Sequence, residues 1–180
     1  VLHDKKTESD QFLSWQYSQG FAYLMGYGML YEHGGNDLYE CVIGGAGDYI
    51  YYSPQMPGTG NSSMCQGFGF GRRADFSDGV SLSGGLGILR DRSGDDSYTA
   101  DVFNQGGGYW FGTGVLADAS GDDSYFGRYY TQAIGAHFAL GMLIDGSGND
   151  VHNEDAAPVS SIGFAHDAST TLFWDKEGDD

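Results

Sequence analysis

The sequence predicts an all-β protein, built as a parallel β-solenoid of about five coils. Three observations predict it. An acidic phrase recurs at a fixed interval, the residues before it alternate with period two, and glycine is abundant without a collagen triplet. The phrase is clearest as Leu116-Ala117-Asp118-Ala119-Ser120-Gly121-Asp122-Asp123-Ser124-Tyr125. Copies begin at Leu89, at Leu143 and at Phe173, and a looser one runs from Leu30 to Tyr39. Asp96 to Asp123 is 27 residues, Asp123 to Asp150 is 27, and Asp150 to Asp180 is 30. Such a period marks one supersecondary unit, repeated and stacked. The 59 residues from Asp37 to Asp96 read as about two periods with extra material, including a degenerate copy at Gly44-Gly45-Ala46-Gly47-Asp48-Tyr49.

Taken in order, residues 1–16 carry no copy and read as a lead-in or cap. Thr7-Glu8-Ser9-Asp10 reads as the start of a short helix through Trp15. The repeat domain covers 17–180. Tyr109, Phe111, Thr113, Val115 and Ala117 share one parity; Gly108, Trp110, Gly112, Gly114, Leu116 and Asp118 share the other. Ile134 to Ile144 repeats this alternation. Period two means strand, with one large apolar face and one small face. The Asp-x-x-Gly-Asp-Asp element is the turn that ends the strand. A shorter strand follows, as from Tyr125 to Gln132. Stretches at about 41–65 and 70–82 break the period and read as insertions, which in repeat proteins collect on one face. An antiparallel hairpin array or barrel would use the same strands. Close repetition of the turn favours stacked coils, with like positions about 4.8 Å apart.

The chain has 180 residues and a net charge of −17, from 25 acidic and 8 basic residues. That balance excludes nucleic acid, which needs a basic footprint, and an anionic membrane surface. The 13 Tyr, 11 Phe and 3 Trp count against disorder. No apolar run is long enough for a transmembrane helix. Cys41 and Cys65 are the only cysteines, 24 residues apart. Stacking could join them in a disulfide, or they could remain two free thiols. The start at Val1 suggests a processed product, and the stop within a motif suggests a longer array.

Three carboxylates within six residues, stacked on copies of themselves, repel. At about 5 Å and an effective dielectric near 20, each like pair costs about 3 kcal/mol. Ca2+ takes six to eight oxygens, which carboxylates and turn carbonyls supply. The metal-free alternative is a ladder of Asx-turns, with Asp side chains accepting backbone N–H groups.

Gly94-Asp95-Asp96-Ser97-Tyr98 resembles the RTX nonapeptide G-G-x-G-[ND]-D-x-U-x. Gly148-Asn149-Asp150 and His33-Gly34-Gly35-Asn36-Asp37-Leu38-Tyr39 follow its Asn form. The resemblance implies a Ca2+-loaded parallel β-roll in which Asp37, Asp96, Asp123, Asp150 and Asp180 are ligands. Here the period is 27 rather than tandem nines. The leading Gly is replaced by Asp91, Asp118, Asp145 and Asp175, which are candidate additional ligands. The pattern is also similar to secreted repeat proteins carrying G-x-L-x-D-x-x-G-D-D-x-Y.

Other candidates are bland. His152 stands where Tyr98 and Tyr125 stand, and His137 where Leu24 and Trp110 stand, so both read as packing substitutes. His3, His33 and His166 are scattered. Gln19, Gln66, Gln105 and Gln132 suggest an amide ladder. Asp75 and Asp78 beside Arg72 and Arg73 imitate a polysaccharide-cleaving site. There is no P-loop, HExxH or serine-nucleophile motif. The expected function is an extracellular or cell-surface structural or adhesive protein, stabilised by calcium. Self-association end to end into a filament or surface layer is its expected mode. The alternatives are a carbohydrate-binding module or stalk, with aromatic platforms at Tyr49 to Tyr52 or at Tyr129 and Tyr130, and a polysaccharide lyase or hydrolase.

Overall fold

The computed structural model describes residues 1–43, 60–74, 78–153 and 159–180. Gly44 to Tyr49, the platform Tyr49 to Tyr52, and Asp75 lie outside the described residues. In chain order, the first pass contributes β1 (Leu2–His3) and β2 (Gln11–Ser14). The next contributes β3 (Ala22–Tyr23), β4 (Tyr27–Tyr31), β5 (Leu38–Cys41) and β6 (Ser62–Cys65). The third contributes β7 (Gly69–Phe70), β8 (Leu86–Arg90), β9 (Ser97–Thr99) and β10 (Val102–Asn104). Then come β11 (Gly108–Tyr109), β12 (Thr113–Ala117) and β13 (Ser124–Phe126), followed by β14 (Gly135–Ala136), β15 (Leu140–Asp145) and β16 (Val151–His152). The last pass gives β17 (Ala165–His166) and β18 (Thr170–Asp175).

The protein is all-β, with no helix among the described residues. Its strands form a six-stranded sheet, β1-β4-β8-β12-β15-β18, two five-stranded sheets, β17-β14-β11-β7-β3 and β16-β13-β9-β5-β2, and the pair β10-β6. All strand pairs in these sheets are parallel, so the antiparallel array is not formed. Each repeat lays its strands on those of the next in like register. Thr113 opposes Leu140, Leu116 opposes Leu143, and Tyr125 opposes Tyr98.

Two sequence expectations are corrected. Gln11–Ser14 is strand β2, paired with Leu38–Cys41, so no helix runs from Thr7 to Trp15. The pairing of Phe12 with Tyr39 satisfies this backbone inside a sheet, which outweighs a weak capping signal. Leu30 pairs directly with Leu89 and Tyr39 with Tyr98. The 59 residues between these copies are therefore one register step in these two sheets, with an excursion between.

The small parity of the strands faces inward. Gly87, Gly114 and Gly141 are buried beside Leu89, Leu116 and Leu143, whereas Ile88, Val115 and Met142 are half-exposed outside. A Cβ at Gly114 would sit 1.9 Å from the Gly107 carbonyl oxygen. Glycine there lets two sheets approach backbone to backbone, too close for any larger residue. Leu30, Leu89, Leu116 and Leu143 then pack against the column Tyr39, Tyr98, Tyr125 in one core. A second core joins Met64, Phe68, Val102, Phe103, Tyr130 and Ile134.

Cys41 and Cys65 form a disulfide beside Ala100, which resolves the alternatives the sequence left open. It closes a 24-residue separation. In the chain-entropy picture a loop of that size is worth about 3 kcal/mol. Reduction should lower the melting temperature by roughly 6–12 °C, and melts with and without reductant at matched calcium would show it. Equal melts would mean that the crosslink contributes no stability.

Candidate cation-binding site

The acidic corners stack as one ladder. The Asp96 backbone N–H donates to Asp123 Oδ1 at 2.7 Å, and Asp123 N–H to Asp150 Oδ1 at 2.8 Å. The same bond joins Asp10 to Asp37 and Asp37 to Asp96, each at 2.6 Å, and Asp150 to Asp180 at 2.7 Å. Each inner Asp therefore anchors the N–H of the preceding repeat. Asp95, Asp122, Asn149 and Asp179 form a second, exposed ladder outside it: Asp122 N–H donates to Asp95 Oδ1 at 3.0 Å, and Asn149 N–H to Asp122 Oδ1 at 2.8 Å. Asn36 and Asn149 dilute the charge of that outer row.

The Asp that replaces the motif's leading Gly has a different task. Asp91 Oδ1 accepts the N–H groups of Arg92 and Ser93, capping its own turn. Its Oδ2 accepts the Tyr39 hydroxyl at 2.5 Å. Tyr98 donates likewise to Asp118, and Tyr125 to Asp145, each at 2.5 Å. His152 takes the tyrosine's place, stacked on Tyr125 at 4.9 Å with Nε2 3.2 Å from Asp175 Oδ2. These rings stack at 4.8–4.9 Å and nearly parallel, and each reaches one repeat ahead. The tyrosines, read from sequence as packing positions, are therefore also hydrogen-bond donors to the carboxylate row.

Tyr98→Phe should leave Asp118 Oδ2 buried without its donor. The expected loss is about 2–3 kcal/mol, or roughly 4–12 °C in melting temperature. A thermal melt of the variant checks it, and an unchanged melt would show that the hydroxyl contributes no net stability.

The two rows converge. Carboxylate oxygens of Asp37, Asp91 and Asp96 lie within 4.8 Å of one another, as do those of Asp96, Asp118 and Asp123, and of Asp123, Asp145 and Asp150. All seven residues are buried. Among the described residues, the Oδ2 atoms of Asp37, Asp96, Asp123 and Asp150 have no hydrogen-bond partner. Burial, the largest cause, lifts these carboxyls far above the ordinary range, Asp96 to about 9 and Asp123 to about 10. Asp37 rises to about 6, and Asp118 and Asp150 to about 7. Neighbouring carboxylates add to the rise. The orphaned oxygens fit a hard cation: every donor is oxygen, the charge is unbalanced, and among the described residues no Lys or Arg is paired with them. Asp175 and Asp180 continue the two rows, with Asp180 exposed.

Sequence reasoning missed Glu32, Asp4 and Asp10, which form another such cluster. The signal was the acidic pair five residues apart: Glu32 and Asp37 keep the spacing of Asp91 and Asp96.

The remaining candidates fall elsewhere. Arg72 pairs with Asp78 at 2.9 Å on the surface. Tyr130 is buried and stacked on Phe103, so it offers no exposed platform. Gln66 and Gln105 are buried at corners, and each donates to backbone carbonyls of two adjacent repeats, so they bridge strands rather than stack amide on amide. His137 meets Arg73, His166 and Asp167, its Nδ1 2.5 Å from Asp167 Oδ2 and its Nε2 2.5 Å from Arg73 Nη1. The guanidinium can only donate, so Nε2 accepts and Nδ1 carries the proton. No helix among the described residues is long and apolar enough to cross a membrane. Comparison with family models, with curated proteins and with solved structures finds no match for this chain.

Proposed function

We propose that this chain is a calcium-stabilised parallel β-solenoid, serving as a structural or adhesive scaffold outside the cell, in the manner of RTX-like repeats. The observation that carries the reading is the set of buried Oδ2 atoms on Asp37, Asp96, Asp123 and Asp150 that no hydrogen bond satisfies. Asp37, Asp91 and Asp96 would hold one ion, Asp96, Asp118 and Asp123 a second, and Asp123, Asp145 and Asp150 a third. Asp175 and Asp180 extend the same rows. Bound calcium would supply charge balance. Each ion would also join carboxylates of successive repeats, so binding would be folding energy. The tyrosine hydroxyls and turn N–H groups preorganise the carboxylates for that role.

Self-association is the partner chemistry this surface supports. Met29, Ile88, Val115 and Met142 make an apolar ladder on the outer face of the six-stranded sheet, in a chain otherwise dominated by acid. Contiguous apolar surface of this kind marks an interaction face, and a second copy meets it without like-charge repulsion. Pairing at the outer edge of β18 is the end-to-end alternative.

The test is a melt at neutral pH in calcium and in chelator, with light scattering alongside. Three sites filled at about a hundred times Kd add about 8 kcal/mol, roughly 15–30 °C. Identical melts would end the ion reading. Monomers in both conditions, at concentrations well into the micromolar range, would end the self-association.

A further inference from the structure

We propose that a further divalent-cation site lies in the first repeat, held by Asp4, Asp10 and Glu32; the inference rests on the cation reading above. Carboxylate oxygens of the three lie within 4.8 Å of one another. Their places follow the register. Tyr31 pairs with Arg90, which puts Glu32 where later repeats have Asp91. Asp4 N–H donates to the Tyr31 carbonyl at 3.0 Å, as Glu32 N–H does to the Arg90 carbonyl at 2.9 Å. Asp4 is thus the same position one repeat earlier. Asp10 precedes Asp37 on the inner ladder.

A second observation points to a ligand. Glu32 is fully buried. Its Oε1 accepts the N–H groups of His33 at 2.7 Å and Gly34 at 3.2 Å, as Asp91 Oδ1 does for its own turn. Its Oε2 has no hydrogen-bond partner among the described residues. In later repeats that oxygen receives a tyrosine hydroxyl. Here the ring that should supply it is Phe12, stacked on Tyr39 at 4.9 Å and nearly parallel to it. The column keeps its packing and loses its donor.

A buried carboxylate oxygen without a donor carries a large desolvation cost unless a cation or a proton meets it. No Lys or Arg is paired with Glu32 among the described residues; the nearby Lys6 ammonium pairs with Glu8 at 3.4 Å on the surface. Asp4 Oδ1 accepts the Lys6 N–H at 2.9 Å, which holds the carboxylate in place. The donors are all oxygen, the preference of Ca2+. This site takes one carboxylate freed by a missing hydroxyl, whereas the later sites share theirs with tyrosine.

The experiment counts calcium ions per chain by native mass spectrometry on wild type, Glu32→Gln and Asp4→Asn, with circular dichroism as the folding control. Both variants should hold one ion fewer than wild type and keep the rest. If Glu32→Gln does not fold, Asp4→Asn decides, because Asp4 is only half-buried. Unchanged counts in the folded variants, against several ions in wild type, overturn this site and leave the other triads standing. A wild-type chain that takes up no calcium overturns the cation reading itself.

Discussion

In chelator, the melting temperature should fall by about 10 °C or more as pH rises from about 5 to about 9. Burial raises Asp96 to about 9 and Asp123 to about 10 in the folded chain, from a value of 3.8 when exposed. Between those limits the unfolded chain has released protons that the folded chain still holds. The unfolded state therefore binds fewer protons, and stability falls as pH rises across this window. Each tenfold change in a carboxyl's proton affinity is worth about 1.4 kcal/mol, so even a part of these rises exceeds the usual effect of a point mutation. Calcium should remove most of the slope, because the ion replaces the protons. It should do little near pH 4, where the carboxyls are protonated and cannot bind metal. The two melting curves, plotted against pH, should meet at the acid end and diverge upward. Parallel curves would show that the buried carboxyls and the calcium effect are unrelated.

That behaviour traces to residues that were partly legible beforehand. Asp96, Asp123 and Asp150 recur at constant spacing, and recurrence is what a sequence displays best. Their stacking followed from the period, and the structure brings them together on one ladder. What recurrence could not show was the division of labour between Asp91 and Asp96. Both are acidic and both repeat, yet one has both oxygens engaged by Tyr39 and its own turn, while the other keeps an oxygen without a hydrogen bond. Hydrogen-bond partners come from neighbouring repeats, a distance that spacing within one repeat does not encode.

The first repeat was illegible for a related reason. It lacks Gly-Asp-Asp, and its place shows only through pairing, Leu2 with Leu30 and Phe12 with Tyr39. The corners were illegible too. Trp110 and Phe111 both have positive φ, as do His137 and Phe138 one repeat on. Left-handed backbone in bulky residues costs roughly 1–2 kcal/mol each, so sequence logic assigns such corners to glycine. Here ring stacking offsets the cost: Phe111 lies 5.0 Å from Phe138 and nearly parallel. Such stacking exists only once the repeats are assembled, so the local sequence gives no hint of it.

Gly121→Ala should be among the most damaging single methyl additions in the ladder, with its equivalents at Gly94 and Gly148. A Cβ at Gly121 would fall 1.5 Å from the Gly94 carbonyl oxygen and 2.9 Å from Asp123 Oδ1. The first is backbone, held by its own repeat, and cannot swing aside. Relieving the overlap means separating two repeats at the Gly94 N–H bond to the Ser120 carbonyl and its neighbours, where the carboxylates converge. The expected loss exceeds about 4 kcal/mol, and the melting temperature should drop by more than about 8 °C. Gly79→Ala is the control. Gly79 also has a positive φ, +78°, but a Cβ there meets nothing within 4 Å among the described residues. Its expected cost is only the conformational one, about 1–2 kcal/mol. The difference between the two variants isolates the close approach of stacked turns from the preference of glycine for left-handed backbone. Equal, small losses in both would mean that neighbouring turns are not packed at this distance, and the shared carboxylate sites between repeats would lose their geometric basis.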